Sequence, residues 1–295
     1  MTDMSPTKKL FCFGLGFTGS ALVREVRAGG GAASGTCREN AQKNFWVEAG
    51  VQSHCFDGKE VSETVENALR AASHVLVTIP PQKDDGDVVL KHFKKILTDC
   101  SQLKWLGYLS TTGVYGNRDG GWVDETSALQ PEFDHQRRRV EAEGQWRDLF
   151  REHQVPVHIF RLAGIYGPGR NLLQRVRQGS ARRIDQPGLV FNRIHVEDVV
   201  QVLSASMDHP HPGAIYNVSD DVPSSPAEAV AFACELLHVK LPPLIALEDA
   251  ELSPMGRGFY LTNKKVRNQK IKEDLGVQLR YPDYKAGLRA LLATE

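Results

Sequence analysis

The stretch "FCFGLGFTGSALVREV", residues 11 to 26, constrains the fold more than any other part of the chain. It sets Gly14, Gly16 and Gly19 at GxGxxG spacing between a short apolar run and a helical pattern. In a strand, turn and helix of this kind each glycine has its own task. The first permits a tight turn, the second lets backbone approach a pyrophosphate, and the third lets the helix pack on the strand. The helix start then offers free N–H groups to the anion. Phe17 and Thr18 complete the loop. The pattern predicts a dinucleotide site at the edge of a parallel sheet.

The sequence that follows fits such a sheet. Apolar runs at 10–14, 32–37, 52–56, 74–79, 105–110 and 157–162 alternate with helical patterns near 19–27, 40–49, 60–72, 87–100 and 135–153. Six strands with five crossovers predict an α/β fold, a doubly wound parallel Rossmann sheet covered by helices on both faces. After residue 170 the pattern loosens. "LLQRVRQG" reads as a short helix, "RIHVEDVVQVLSASM" as a longer one, "AIYNVSD" as a strand and "SPAEAVAFACELLH" as a helix. We expect a dinucleotide-binding domain over 1–170 and a smaller C-terminal α/β substrate domain over 171–295, with segments near 194–220 returning to the first.

A chain of 295 residues is long enough for two such unequal cores. Lys and Arg number 36 against 36 Asp and Glu, so no global field recruits nucleic acid or an anionic membrane. No run approaches the roughly 20 apolar residues of a membrane span. "MTDMSPTKK" lacks the apolar core of a signal peptide. These features predict a soluble, cytoplasmic protein. Cys12, Cys37, Cys55, Cys100 and Cys234 are scattered, read as reduced thiols, and show no metal-ligand spacing.

The second strand ends "GTCREN", placing Arg38 where an NAD binder usually presents a carboxylate to the ribose. An arginine there suits the 2′-phosphate of NADP, so NADP is the expected cofactor and NAD the other. Glu39 serves a ribose if the register slips by one. Asp57 either meets the adenine edge or forms its own turn in "FDGK". Ile79 and Pro80, ending the fourth strand, complete the expected cofactor contacts.

"LSTTGVYG" (109–116) follows the fifth strand and "RLAGIYGPGRN" (161–171) the sixth, with "RIHVEDVV" and "IYNVSDD" further on. In this order the motifs resemble the extended branch of the short-chain dehydrogenase/reductase superfamily, the NAD-dependent epimerase/dehydratase family, across nearly the whole chain. The resemblance implies that Thr111, three residues before the Val of "VYG", hydrogen-bonds the reacting oxygen. It also implies a Tyr-x-x-x-Lys pair on the next helix, followed four residues later by a Glu. Aligning that Glu with Glu143 puts Arg139 at the lysine position and His135 at the tyrosine position, so the usual pair is missing. Phe133 is the other aromatic there.

At 100° per residue, His135, Arg139, Ala142, Trp146 and Leu149 share an inward stripe, whereas Arg137 points away and Arg138 lies on the border. A histidine with a reference pKa near 6.5 is matched to proton transfer at neutral pH. Neighbouring arginine charge keeps it neutral and suits it to accept a proton. Tyr115 is the alternative proton donor.

Tyr166, Arg170 and Arg193 are expected at the substrate, with Arg175, Arg177, Arg182 and Arg183 adding charge for an anionic one. His195, Glu197 and Asp198 read as capping residues at a helix start. The resemblance implies an oxidoreductase or epimerase/dehydratase-like enzyme acting on a sugar nucleotide or another phosphorylated alcohol or ketone, and a homodimer. The competing expectation is a cofactor-binding sensor or scaffold whose catalytic pair has decayed.

Overall fold

The computed structural model describes residues 8–294, the side chains at 40, 41, 254 and 255 excepted. The expectation about the extreme amino terminus therefore lies outside the described residues. The chain divides into two compact units. The first comprises residues up to Ser110, Arg137–Arg161 and Val200–Tyr216, and the second Thr111–Gln136, Leu162–Val199 and Asn217 onward. The division is more interleaved than a cut near 170, because the chain passes between the units five times.

The first unit is built on a seven-stranded sheet. Its strands are β1 (Lys9–Phe13), β2 (Ala32–Cys37), β3 (Gln52–Cys55), β4 (His74–Val77), β5 (Trp105–Thr111), β6 (Val157–Leu162) and β7 (Ile215–Val218), in the order β7-β6-β5-β4-β1-β2-β3. β1 pairs in parallel with β2 and β4, β2 with β3, and β4 with β5. The order reverses between β1 and β4, which is the doubly wound arrangement the sequence predicts. The seventh strand comes from "AIYNVSD", far along the chain.

The connecting helices are α1 (Phe17–Ala28), α2 (Asn40–Glu48), α3 (Glu63–Arg70), α4 (Val88–Asp99) and α5 (Asp134–His153). Phe11, Phe13, Val75, Val77, Leu106 and Tyr108 of the strands pack with Val65 and Leu69 of α3, Val89 and Phe93 of α4, and Trp146 and Leu149 of α5. β4 is buried along its whole length, HVLV, as strands covered on both faces must be. Asp87 joins two helices to this core. Its Oδ1 caps α4 by accepting from the Val89 and Leu90 amides, each at 3.0 Å, and its Oδ2 accepts from Trp146 Nε1 at 2.8 Å. "RIHVEDVVQVLSASM" forms a short strand, Arg193–His195, before α6 (Val196–Asp208) begins. Ser206 of α6 accepts from Trp105 Nε1 at 3.0 Å.

The second unit has its own core of Tyr166, Leu173, Ala229, Phe232, Tyr284 and Leu288. Three short parallel pairs stitch its loops: Arg193–His195 with Gly164–Tyr166, Arg183–Ile184 with Leu244–Ile245, and Lys265–Val266 with Trp122–Val123. Asn263 ties several of these loops. Its carbonyl accepts from the Arg118 and Gly120 amides, its Oδ1 accepts from Val190 N, and its Nδ2 donates to Gly188 O. No described helix is long and apolar enough to cross a membrane.

Candidate functional site

In the first unit the three glycines meet different surroundings. Gly14 has φ +96°, and a Cβ there would be driven into Thr78 Oγ1. A Cβ on Gly19 would strike the Gly14 carbonyl and lie 2.7 Å from Cys12 Sγ. A Cβ on Gly16 would meet nothing within 4 Å. The first two glycines thus answer to the protein's own packing, and the third to whatever approaches from outside. Gly16 is also the N-cap of α1 and supplies no side-chain cap, so the helix start carries no side-chain competitor for an anion at that position.

The loop is held from three sides. Thr36 Oγ1 accepts from Gly14 N at 3.0 Å, Thr78 Oγ1 donates to Gly14 O at 2.9 Å, and Ser20 Oγ donates to Leu15 O at 3.1 Å. Thr18 is buried behind the loop at the start of α1, next to Phe17. Ile79 is half-buried, 3.2 Å from the Cβ position of Gly14, and Pro80 is exposed. Such a preformed cradle, which a side chain at position 16 would fill, fits a dinucleotide pyrophosphate. Arg38 is exposed beyond the end of β2 and makes no hydrogen bond or ion pair with another described residue. Asp57 accepts from the Lys59 amide at 2.9 Å, and that bond holds its carboxyl below the usual range.

On α5 the helical stripe holds for most of its members. Ala142, Trp146 and Leu149 are buried and Arg139 is half-buried. Arg139 Nη1 donates to Leu109 O at 2.8 Å and to Tyr108 Oη at 3.1 Å, with the guanidinium 5.6 Å from the Tyr108 ring centre. Burial raises the Tyr108 hydroxyl well above its ordinary pKa, so it stays neutral beside the arginine. One turn on lies a sealed group. Glu143, 2 % exposed, accepts from Ser110 Oγ at 2.5 Å and from Arg161 Nη2 at 2.7 Å. This ion pair fixes α5 on β5 and β6.

His135 departs from the expected stripe. It is exposed and stacks on Phe133, with ring centres 5.8 Å apart and planes 9° from parallel. The buried first-turn residue is Gln136 instead. Its Oε1 accepts from the Glu132 and Phe133 amides at 2.8 and 3.2 Å, a local capping demand that turns it inward.

In the second unit Thr111 caps the short 3₁₀ turn Thr112–Tyr115, its Oγ1 accepting from Gly113 N at 3.1 Å. That bond leaves the hydroxyl proton for another acceptor. Tyr115 is fully buried and donates to Asn217 Oδ1 at 2.7 Å. Asn217 N in turn donates to Glu125 Oε1 at 2.7 Å, and burial raises the Glu125 carboxyl. The turn ends at Gly116, φ +66°, where a Cβ would run into the Gln130 carbonyl.

Tyr166 is likewise packed rather than open, edge-on to His195 and against Gly287. The Arg193 guanidinium lies over the Phe191 and Tyr284 rings and donates to Ser224 Oγ at 2.5 Å. Arg170 is exposed in the turn whose backbone pairs Gly167 with Arg170. His195 Nδ1 accepts from the Glu197 amide at the start of α6, and Asp198 accepts from the Arg280 and Tyr281 amides. Among the described residues no three His, Cys, Asp or Glu side chains are grouped to hold a metal ion.

Sequence reasoning passed over Gln136, Asn217, Glu125 and Arg161. Arg161 carried a signal, a charge inside the strand run "VHIFRL", which demands a buried partner.

The profile of the NAD dependent epimerase/dehydratase family matches residues 14–219. Protein YeeZ of Escherichia coli K12 is 27 % identical over 289 residues, covering 94 % of this chain and 97 % of that protein. A conserved protein of unknown function from Silicibacter pomeroyi is 45 % identical, with 98 % and 99 % of the two chains covered and a TM-score of 0.89. The dTDP-glucose 4,6-dehydratase of Bacillus anthracis, solved with NAD, shares the fold at 16 % identity. Its TM-score is 0.79, with 97 % and 96 % of the chains covered.

Proposed function

This chain belongs to the NAD dependent epimerase/dehydratase family, and on that premise we propose that it is an NAD(P)-dependent oxidoreductase or epimerase/dehydratase-like enzyme of an atypical extended type. Its substrate is a sugar nucleotide or another phosphorylated alcohol or ketone. The observation that carries the reading is the free space over Gly16 at an uncapped helix start, between two glycines already fixed by packing. The B. anthracis structure, which holds NAD on the same fold, supports it.

When bound, the nicotinamide coenzyme gives or takes a hydride. The residues of this chain do the rest. Gly14, Gly16 and Gly19 hold the pyrophosphate against the α1 amides. Arg38, exposed and uncommitted among the described residues, takes the 2′-phosphate and favours NADP over NAD. Thr111, with its proton free, orients the reacting oxygen. His135 carries the proton from its stacked position on Phe133. Arg139 stands at the lysine position, but its Nη1 is spent on Leu109 and Tyr108, so it contributes charge and helix placement rather than a mobile ammonium.

A second reading, a coenzyme-binding sensor without turnover, draws on the sealed Tyr115 and the committed Arg139. Fluorescence titration with NADPH and NADH, followed by a screen of alcohols, ketones and nucleotide sugars for nicotinamide absorbance change, separates the two. We expect NADPH to bind more tightly, and Arg38→Ala to lose about tenfold or more of that affinity. Thr111→Ala and His135→Ala should each lower turnover by about 10²–10⁴. Coenzyme binding with no turnover across the screen would favour the sensor, and no binding at all would overturn both readings.

A further inference from the structure

Lys264 lies directly after the Asn263 knot, where its backbone has little freedom. Its carbonyl accepts from Asn192 Nδ2 at 2.9 Å, and the next two residues are paired with Trp122–Val123. The residue is 7 % exposed, yet among the described residues its ammonium makes no hydrogen bond and no ion pair. Nor is its nitrogen among the sealed, unpartnered polar atoms of the fold, so it keeps contact with solvent space.

The charged groups that face Lys264 are Glu132 and Arg118. Glu132 Oε1 accepts from Asn117 N at 3.0 Å and attracts the ammonium only from beyond ion-pair distance. Arg118, tied to Tyr115 O and Ala128 O, opposes it. Burial, with Arg118 adding to it against the pull of Glu132, brings the amine down to about 8. Lys264 has therefore given up most of its water without gaining a counter-ion, a state that a buried cation holds poorly unless a partner arrives from outside.

We propose that Lys264 is an oxyanion-binding residue of the second unit, and that its missing counter-ion is a phosphate or carboxylate group of the substrate. An ammonium presents three donors and no acceptor, which suits an oxyanion and excludes a cationic or purely donating partner. The proposal rests on the reading of this chain as an enzyme with an anionic small-molecule substrate, and it narrows that reading to one residue.

The test is site-resolved acetylation of the full chain by acetic anhydride, followed by mass spectrometry across the neutral to alkaline range. It is run without coenzyme, and with or without inorganic phosphate or succinate. Without probe, Lys264 should label with a midpoint near 8, well below the ~10.4 of an ordinary lysine. A bound oxyanion should raise that midpoint by about one unit or more and slow labelling about tenfold at fixed pH. Lys265 should show no such protection.

Protection by phosphate alone assigns the site to a phosphate ester, and protection by succinate alone to a carboxylate. If neither probe moves the midpoint, the proposal falls. As a second measure, phosphate or succinate should raise the melting temperature of the unaltered chain and of Lys264→Arg but not of Lys264→Met; equal shifts in all three would also overturn it. NADPH titration of the unaltered chain reports on the enzyme reading separately, since failure to bind coenzyme sinks that reading whatever Lys264 does.

Discussion

At the scale of single residues, three glycines that look alike in the sequence have different duties. Gly16→Ala meets nothing within 4 Å and should leave the melting temperature close to unchanged while abolishing coenzyme binding. Gly19→Ala drives a methyl group into the Gly14 carbonyl, so it should destabilise the fold by about 1–3 kcal/mol as well. Thermal unfolding and an NADPH titration on both variants check this, and equal melting temperatures would refute the distinction. The spacing of these glycines was legible because the phosphate loop is local in sequence. His135 was less legible. A helical wheel turns Arg139 inward and would turn His135 with it, but Gln136 meets the amides of Glu132 and Phe133 and takes the buried place. Tyr115 carried no sequence sign that its partner would be Asn217, 102 residues away.

Among the elements, α5 depends most on what it buries. Glu143 lies between Ser110 of β5 and Arg161 of β6, and all three are nearly sealed. Glu143→Gln keeps the shape but removes the carboxylate charge that Arg161 Nη2 meets at 2.7 Å, for which we expect a loss of about 3–5 kcal/mol in chemical denaturation. A loss below about 1 kcal/mol would show that water reaches the pair. Coenzyme affinity should change much less than stability, because the glycine loop lies on another helix. The strands and helices of the first half were readable because each apolar run is closed by a turn and followed by a helical period. The triad was not, since Arg161 reads as an interruption in an apolar strand and its partner sits 18 residues earlier. β7 could be recognised as a strand, but its place at the sheet edge follows from long-range pairing that no local pattern encodes.

For the whole molecule, the balance of 36 basic and 36 acidic residues gives no strong self-repulsion near neutrality, so pH dependence falls to particular buried groups. Burial lowers His74, His158 and His195 to about 4, against about 6.5 for an exposed histidine. The folded chain keeps them neutral where the unfolded chain takes up protons. Their contribution is therefore complete above about 6.5 and is lost as pH falls toward 4, on the order of 1–3 kcal/mol each. Unfolding followed across that range should show the decline. His158→Phe keeps a ring against Trp105 and should flatten it; an unchanged slope would assign the decline to other groups. No local pattern marks the division into units, since Thr111–Gln136 sits inside the first half of the sequence yet clusters with the second unit. Gly116 lies in that segment, and its bare α-carbon lets the backbone at Gln130 pass. Chimeras that import the following helix from a relative can succeed only if the splice preserves this crossing, since any substituent there would wedge the incoming segment out of line before its helix begins.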